Sequence, residues 1–327
     1  MQNSHLYKRL QEFIKSASKP LIVVLGSTAS GKTTFSIELA LELGNAEIIN
    51  ADSRQLYKYL DIGTAKITTE EMCGIPHHLL DVLDPNEEVT ASWFKEHAGK
   101  AINDIHQRGK IPIMVGGSML YISAVIDGLE FPEGPDPELR KKLNAEYDQD
   151  AGESLYTKLT EIDPETAFAF SRNNKPYVVR AMEIWETTKQ KPSIERKVTS
   201  SPYDLLIIGI QRDRDELSRR IDLRTKELFE KGWVEEVRGL MNRGYTADAP
   251  AMKSHGYREI IESICHAELA KHAGDGQSST AVCRPSQAQD DTLRKLQDKI
   301  SVKARQYAKR QMTWWRGDSR IEWIHLS

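Results

Sequence analysis

The chain has 327 residues and a formal net charge of −3, with 39% hydrophobic and 28% charged residues, enough for two domains or one core with a large insertion. No apolar run approaches the roughly 20 residues that span a bilayer, and Met1 to Pro20 lacks the apolar centre of a signal peptide. Cys73, Cys265 and Cys283 lie far apart with no C-x-x-C pair, which argues against a zinc knuckle or disulfide framework and for a reducing, cytoplasmic setting.

In chain order, Leu6, Leu10, Phe13 and Ile14 mark a short amphipathic helix within residues 1–20. Leu21 to Leu25 reads as a buried strand of a parallel sheet. The next eight residues, Gly26, Ser27, Thr28, Ala29, Ser30, Gly31, Lys32 and Thr33, fit the phosphate-cradling pattern G-x-x-x-x-G-K-[ST]. A helical pattern through Phe35, Ile37, Leu39 and Leu43 follows. In such a loop the glycines let backbone N–H groups turn toward an anion, and the helix N-terminus adds its positive end. Lys32 supplies a mobile cation, and the Thr33 hydroxyl can ligate Mg²⁺. A glycine-rich turn that binds nothing is the bland alternative, and the identity of the phosphate is open at this point.

Glu47 to Ala51 is a second strand, ending at Asp52-Ser53-Arg54-Gln55, and Tyr57 to Thr69 is a polar loop. Pro76 to Pro85 reads as a short strand between turns, Ser92 to Arg108 as a helix, and Ile111 to Val115 as a strand running into Gly116-Gly117-Ser118. Strands separated by helices predict βαβ crossovers: an α/β, P-loop NTPase-like parallel sheet core with an inserted helical domain. The insertion is placed at 129–204, because a Pro/Gly-rich stretch at Phe131 to Pro137 precedes helical periodicity to about residue 190. The core is then 1–128 and 205–327, with a strand at Leu205 to Ile210 and a helix from about Arg214 to Gly232. A second helix runs to Arg243, 271–291 is a mobile loop, a basic helix covers Thr292 to Trp315, and Ile321 to Ile324 is a last strand.

Asp52, just past a strand end near the phosphate loop, suits a general base or an indirect Mg²⁺ ligand, and a helix N-cap is the plain alternative. Gly116-Gly117-Ser118 allows close approach of a phosphate or substrate, or is simply a tight turn. Arg224 shares a helical stripe with Leu217, Ile221 and Leu228, so it and Arg220 require a partner, either a phosphate or an internal carboxylate. Basic residues at 294, 295, 299, 303, 305, 309, 310 and 316, interleaved with Tyr307, Trp314 and Trp315, suit RNA or an ordinary solvated helix. His77 and His78 are adjacent and point apart, which argues against a shared metal.

These segments, in this order, resemble the bacterial tRNA dimethylallyltransferase (isopentenyltransferase) family over almost the whole chain. The matching stretches are Gly26 to Thr33, Asp52 to Tyr57, Asp61 to Lys66, Pro76 to Asp81, Val115 to Tyr121 and Arg180 to Glu183. Arg220-Ile221 with Arg224, Gly256 to Glu259, and Tyr307 to Trp314 complete the set. The resemblance implies transfer of a dimethylallyl group from its diphosphate to N6 of the adenine 3′ to the anticodon, with Mg²⁺, by a monomer. It implies a catalytic role for Asp52, Arg224 and Lys32, diphosphate binding by Gly26 through Thr33, and metal contact at Thr33. The tRNA contacts it implies are Asp52, Ser53, Arg54, Gln55, Ser118, Arg140, Pro176, Tyr177, Val178, Val179 and Arg180. Lys253, Ser254, His255, Gly256, Tyr257 and Arg258 complete that set. The chain departs from the pattern with Ser118 for the usual threonine, Gly26-Ser27 for Gly-Pro, Asn173-Asn174-Lys175 for Asn-Asp, and a longer 271–291 segment. A nucleotide phosphotransferase would need an arginine-bearing lid, which is not evident. A non-catalytic RNA binder would not need Lys32, Thr33 and Asp52 together.

Overall fold

The computed structural model describes residues 2–130, 136–195, 200–274 and 287–326. Its elements run α1 (Gln2–Ser16), β1 (Pro20–Gly26), α2 (Lys32–Leu43), β2 (Ala46–Ala51), β3 (His77–His78), α3 (Ala91–Gln107), β4 (Ile111–Gly116) and α4 (Met119–Ile126). Helices α5 (Pro137–Asp150), α6 (Glu153–Ile162), α7 (Pro164–Ala169), α8 (Lys175–Thr188) and α9 (Pro192–Glu195) follow. The chain then returns to β5 (Asp204–Gln211), α10 (Arg214–Glu230), α11 (Trp233–Asn242), α12 (Tyr257–Gly274), α13 (Gln287–Trp315) and β6 (Ile321–His325). It divides into two compact units, 1–122 with 202–327, and 123–201.

The first unit is a parallel sheet in the order β3-β2-β4-β1-β5-β6. Its central strands are buried on both faces, which is why β1 and β5 read as continuous apolar runs rather than alternating ones. Ile22 and Val24 of β1 pack with Leu10, Ile37 and Leu39 from α1 and α2, while α3 covers β2 and β4 with Phe94, Ala98 and Ile102 buried. Each fully buried Leu, Ile or Phe contributes about 1.5–3 kcal/mol. The sheet delivers its loops to one edge. Gly116 lies in register with Ala51 on one side and Leu25 on the other, so the C-terminal ends of β2, β4 and β1 are neighbours. That edge is where open α/β sheets bind ligands. At the other end of β2, buried Glu47 is held by Arg108, Lys110 and His78, and these partners keep its carboxyl far below the ordinary range.

The second unit is helical and has its own core of Leu143, Tyr147, Leu155, Leu159, Val178, Val179 and Met182. Asp136 and Asp163 cap α5 and α7, each followed by a proline at the first helical position.

Three expectations change. The strand at Pro76 to Pro85 shrinks to His77–His78, because the chain turns at Leu79 and Asp81, both at positive φ. Residues 119–126, unassigned in the sequence, form α4. The expected loop at 271–291 is helical at both ends, in α12 to Gly274 and in α13 from Gln287, and 275–286 lie outside the described residues.

Candidate active site

The phosphate loop connects β1 to α2. Gly26 has φ 149° and abuts the Ile210 carbonyl, where a Cβ would come within 2.5 Å, so no side chain fits. Gly31 caps α2 at φ 100°, which turns the chain sharply into the helix. Lys32 Nζ rests on the Ser27 carbonyl at 2.6 Å. Burial, and then the neighbouring Arg224, push the Lys32 ammonium down to about 8, with Asp52 opposing them. The loop is braced from outside by Arg212 Nε on Ser30 O (2.9 Å) and Arg220 Nε on Ala29 O (3.0 Å). Two of its N–H groups are already engaged. Thr28 N–H donates to Gln311 Oε1 (2.8 Å) and Ser30 N–H to Ser27 O. The Ser30 hydroxyl is buried without a partner.

Asp52 lies at the end of β2 in a turn that Asn50 organises. Asn50 accepts from Asp52 N–H, and its amide donates to the carbonyls of Asp52 and Leu79. Asp52 Oδ1 accepts from Arg54 N–H at 2.9 Å. Next door, the Ser118 hydroxyl accepts from Ser53 N–H at 2.8 Å, so Ser118 ties the β4 turn to the Asp52 turn. Gln55 donates to Thr64 O and Ala65 O.

Arg224 has no carboxylate among the ion pairs of the described residues; its Nη2 lies 3.4 Å from Thr64 O. Burial lowers its pKa, and Asp52 acts against that. Of the two readings open to a charged residue on an apolar stripe, the internal ion pair is not the one observed.

Two clefts meet here. A narrow one of about 120 Å³ is lined by Lys32, Thr33, Asn50, Gln55 and Gly117. A wide one of about 620 Å³ is lined by Arg54, Ser118, Trp233, Lys253, Ser254, His255, Arg258, Lys303 and Arg310. Both touch Thr28, Ala29, Asp52, Arg224 and Tyr307. Tyr307, pushed up to about 12 by burial and by the Asp52 carboxylate, keeps its proton and donates to Gly117 O.

The residues expected at RNA differ in exposure. Tyr257 is buried and donates to Glu236, and Gly256 is buried beside it, so these two support the wide cleft rather than line it. In the helical unit, Val178 and Val179 belong to the core and present no side-chain surface. Pro176 and Tyr177 are exposed. Arg140 and Arg180 both engage buried Glu183, at 2.8 and 2.6 Å. On α13 the basic face is partly structural: Lys303 pairs with Glu259, Lys299 with Glu262 and Arg305 with Asp222, and Trp315 is core.

Glu236 had no role in the sequence. It accepts the N–H groups of Asp61, Ile62 and Gly63 and the Tyr257 hydroxyl, fixing the loop against which Trp233 packs. Glu236→Ala is expected to cost about 2–4 kcal/mol, since three buried or half-buried donors lose a charged acceptor. Denaturant melting checks this, and a loss below about 1 kcal/mol would mean that water replaces the carboxylate.

Known proteins share this architecture. The family described as IPP transferase matches residues 55–318. A tRNA dimethylallyltransferase of Geobacter metallireducens is 41% identical over 307 residues, 93% of this chain and 92% of that protein. One from Geobacter sulfurreducens is 38% identical, over 93% and 91%. The full-length tRNA isopentenylpyrophosphate transferase structure from Bacillus halodurans aligns with TM-score 0.64 and 35% identity, covering 94% of this chain and 90% of that one. A eukaryotic dimethylallyltransferase captured acting on tRNA aligns with TM-score 0.75 and 28% identity, over 94% and 74%. With its phosphate loop, Asp52 turn and Arg224 assembled on one sheet edge, the chain belongs to the IPP transferase family.

Proposed function

We propose that the two clefts are the two substrate entrances of a tRNA dimethylallyltransferase, with Asp52 where they meet. The reaction transfers a dimethylallyl group from dimethylallyl diphosphate to N6 of the adenine 3′-adjacent to the anticodon, releasing diphosphate. The observation that carries this assignment is the shared lining of Thr28, Asp52, Arg224 and Tyr307 between a narrow phosphate-loop cleft and a wide, basic one. Diphosphate enters on the narrow side, over Lys32 and the start of α2. The adenine enters on the wide side, where Arg54, Lys253, Arg258 and Arg310 suit RNA phosphates.

An exocyclic amine is a weak nucleophile, so its proton has to leave as the C–N bond forms. Asp52 takes that proton. The C–O bond to diphosphate breaks at an allylic carbon, and the growing charge on the leaving group falls to Lys32, Arg224 and the α2 N-terminus. Tyr307, kept protonated, gives its one O–H to the Gly117 carbonyl and so holds the β4 turn beside Asp52.

Among the described residues no group of three or more His, Cys, Asp or Glu gathers as a metal cage. The Thr33 hydroxyl, on an exposed residue at the narrow cleft, would hold Mg²⁺ together with diphosphate oxygens and water. When bound there, Mg²⁺ would supply positive charge to the leaving group. We further place the enzyme in the cytoplasm, in keeping with three widely spaced cysteines and no C-x-x-C pair, and propose that it acts as a monomer. No described helix is long and apolar enough to cross a membrane.

The test is transfer of label from dimethylallyl diphosphate, with Mg²⁺, into unmodified tRNA that has adenine after its anticodon. Label in RNA is the expected result; ATP-dependent phosphorylation of a nucleotide in its place would reassign the phosphate loop.

The lowered Lys32 pKa sets a pH dependence. Without ligand Lys32 loses its charge above about pH 8, and a bound diphosphate polyanion favours the ammonium and raises that pKa. Diphosphate affinity is therefore full below about pH 8 and weakens as pH rises, by up to ~10-fold per unit. Calorimetric titration with inorganic diphosphate across that range checks it, and a flat profile would show that Lys32 does not carry the contact.

A further inference from the structure

The C-terminal helix α13 reaches the reaction centre through one buried side chain. Gln311 is 2% exposed, and its amide is used at both ends. Its Oε1 accepts the Thr28 N–H of the phosphate loop at 2.8 Å. Its Nε2 donates to the Gly117 carbonyl of the β4 turn, also at 2.8 Å. One turn earlier on the same face of α13, Tyr307 donates to that same carbonyl at 3.3 Å. The β4 turn in turn holds the Asp52 turn, through Ser118 Oγ and Ser53 N–H. Gly117 is fitted to this arrangement, since a Cβ there would lie 2.2 Å from Gln311 Nε2.

We infer that Gln311 is a positioning residue for the transfer reaction, fixing the spacing between the diphosphate loop and the Asp52 turn by bridging Thr28 and Gly117. The inference rests on the reaction proposed above. In that reaction the carbon under attack lies between the leaving diphosphate and the base, so both turns must stand at one separation. Misplacement by about an ångström costs on the order of 100-fold in rate. A phosphate loop normally offers its N–H groups to the anion, yet here the Thr28 N–H is given to a side chain from the far end of the sequence. That use holds the loop in register at the expense of one possible anion contact. The same helix presents Lys303, Tyr307 and Arg310 to the wide cleft, so the element that meets RNA also sets the diphosphate loop.

The two halves of the bridge separate chemically. Gln311→Glu keeps an acceptor for Thr28 N–H, but as a carboxylate it places a lone pair against the Gly117 carbonyl. Once protonated, the introduced carboxyl regains a donor. Gln311→Leu removes both halves. Gly117→Ala displaces the amide from the opposite side without altering Gln311. Turnover, KM for each substrate and melting temperature are measured for these variants and the wild type from about pH 5.5 to 9, a range spanning carboxyl values raised by burial.

Expected for Gln311→Leu and Gly117→Ala is a kcat roughly 100-fold below wild type, with KM for tRNA within about threefold of it. For Gln311→Glu, the ratio of wild-type to variant kcat should be large at high pH and shrink by up to ~10-fold per unit toward acid. A role confined to stability would move melting temperatures and leave that ratio flat. A pH-independent ratio for Gln311→Glu, or wild-type kcat in Gly117→Ala, overturns the inference. Failure of the wild type itself to transfer label would instead overturn the reaction.

Discussion

Asp52→Ala is expected to lower kcat by about 10²–10⁴ while leaving tRNA affinity within about threefold of wild type. The basis is the separation of Asp52 from the surfaces that hold each substrate. Lys32 and the α2 N-terminus lie on the narrow cleft, the basic residues line the wide one, and Asp52 belongs to both. Its turn is held through the backbone by Asn50 and through Ser118 on Ser53, so truncating the carboxylate removes one bond, to Arg54 N–H, and leaves the turn in place. Asp52→Asn should be nearly as slow, since it restores the shape and hydrogen bonding without the base. Filter binding and single-turnover kinetics on the same preparations make the test, and parallel losses of binding and rate would assign Asp52 to RNA recognition.

Arg224→Ala should separate activity from stability. Arg224 is a guanidinium whose burial lowers its pKa, with no ion-pair partner among the described residues and one long contact to Thr64 O. A charge in that state costs folding free energy until an anion arrives. Removing it should therefore leave the melting temperature unchanged or raised, while kcat/KM for dimethylallyl diphosphate falls by about 10²–10³, the range for losing one preorganised charge donor. Added diphosphate should stabilise the wild type far more than the variant, because the ligand supplies the missing counter-charge. A destabilised variant with normal kinetics would make Arg224 a structural residue.

Much of this site was legible in the sequence because its chemistry restricts residue type. A loop wrapped around a phosphate needs glycines where close packing or a positive φ excludes a side chain, a mobile cation and a hydroxyl, and Gly26, Gly31, Lys32 and Thr33 meet those needs. A sheet buried on both faces needs uninterrupted apolar strands, which marked β1 and β5. What was hidden depended on partners distant in sequence. The positive residues of α13 read as an RNA face, but Lys299, Lys303 and Arg305 find their carboxylates on α12 and α10. The family resemblance implies a contact stretch that includes Val178 and Val179, although helical spacing with Met182 already puts them on a buried stripe. Gln311 and Asn50 are neutral amides, and nothing local announces a buried amide whose two bonds reach other loops. Their visible trace is spacing: Tyr307, Gln311 and Trp315 recur every fourth residue, a stripe that turns a polar group inward.

The claim that two substrates meet at Asp52 from opposite entrances is tested most directly by a crystal structure with a non-hydrolysable dimethylallyl diphosphate analogue and an anticodon stem-loop. The structure described here predicts the diphosphate over Lys32 and Thr33 in the narrow cleft, and the adenine arriving through the wide cleft with N6 in hydrogen-bond reach of Asp52. A diphosphate bound away from the 26–33 loop, or an adenine amine facing any group other than Asp52, would contradict it.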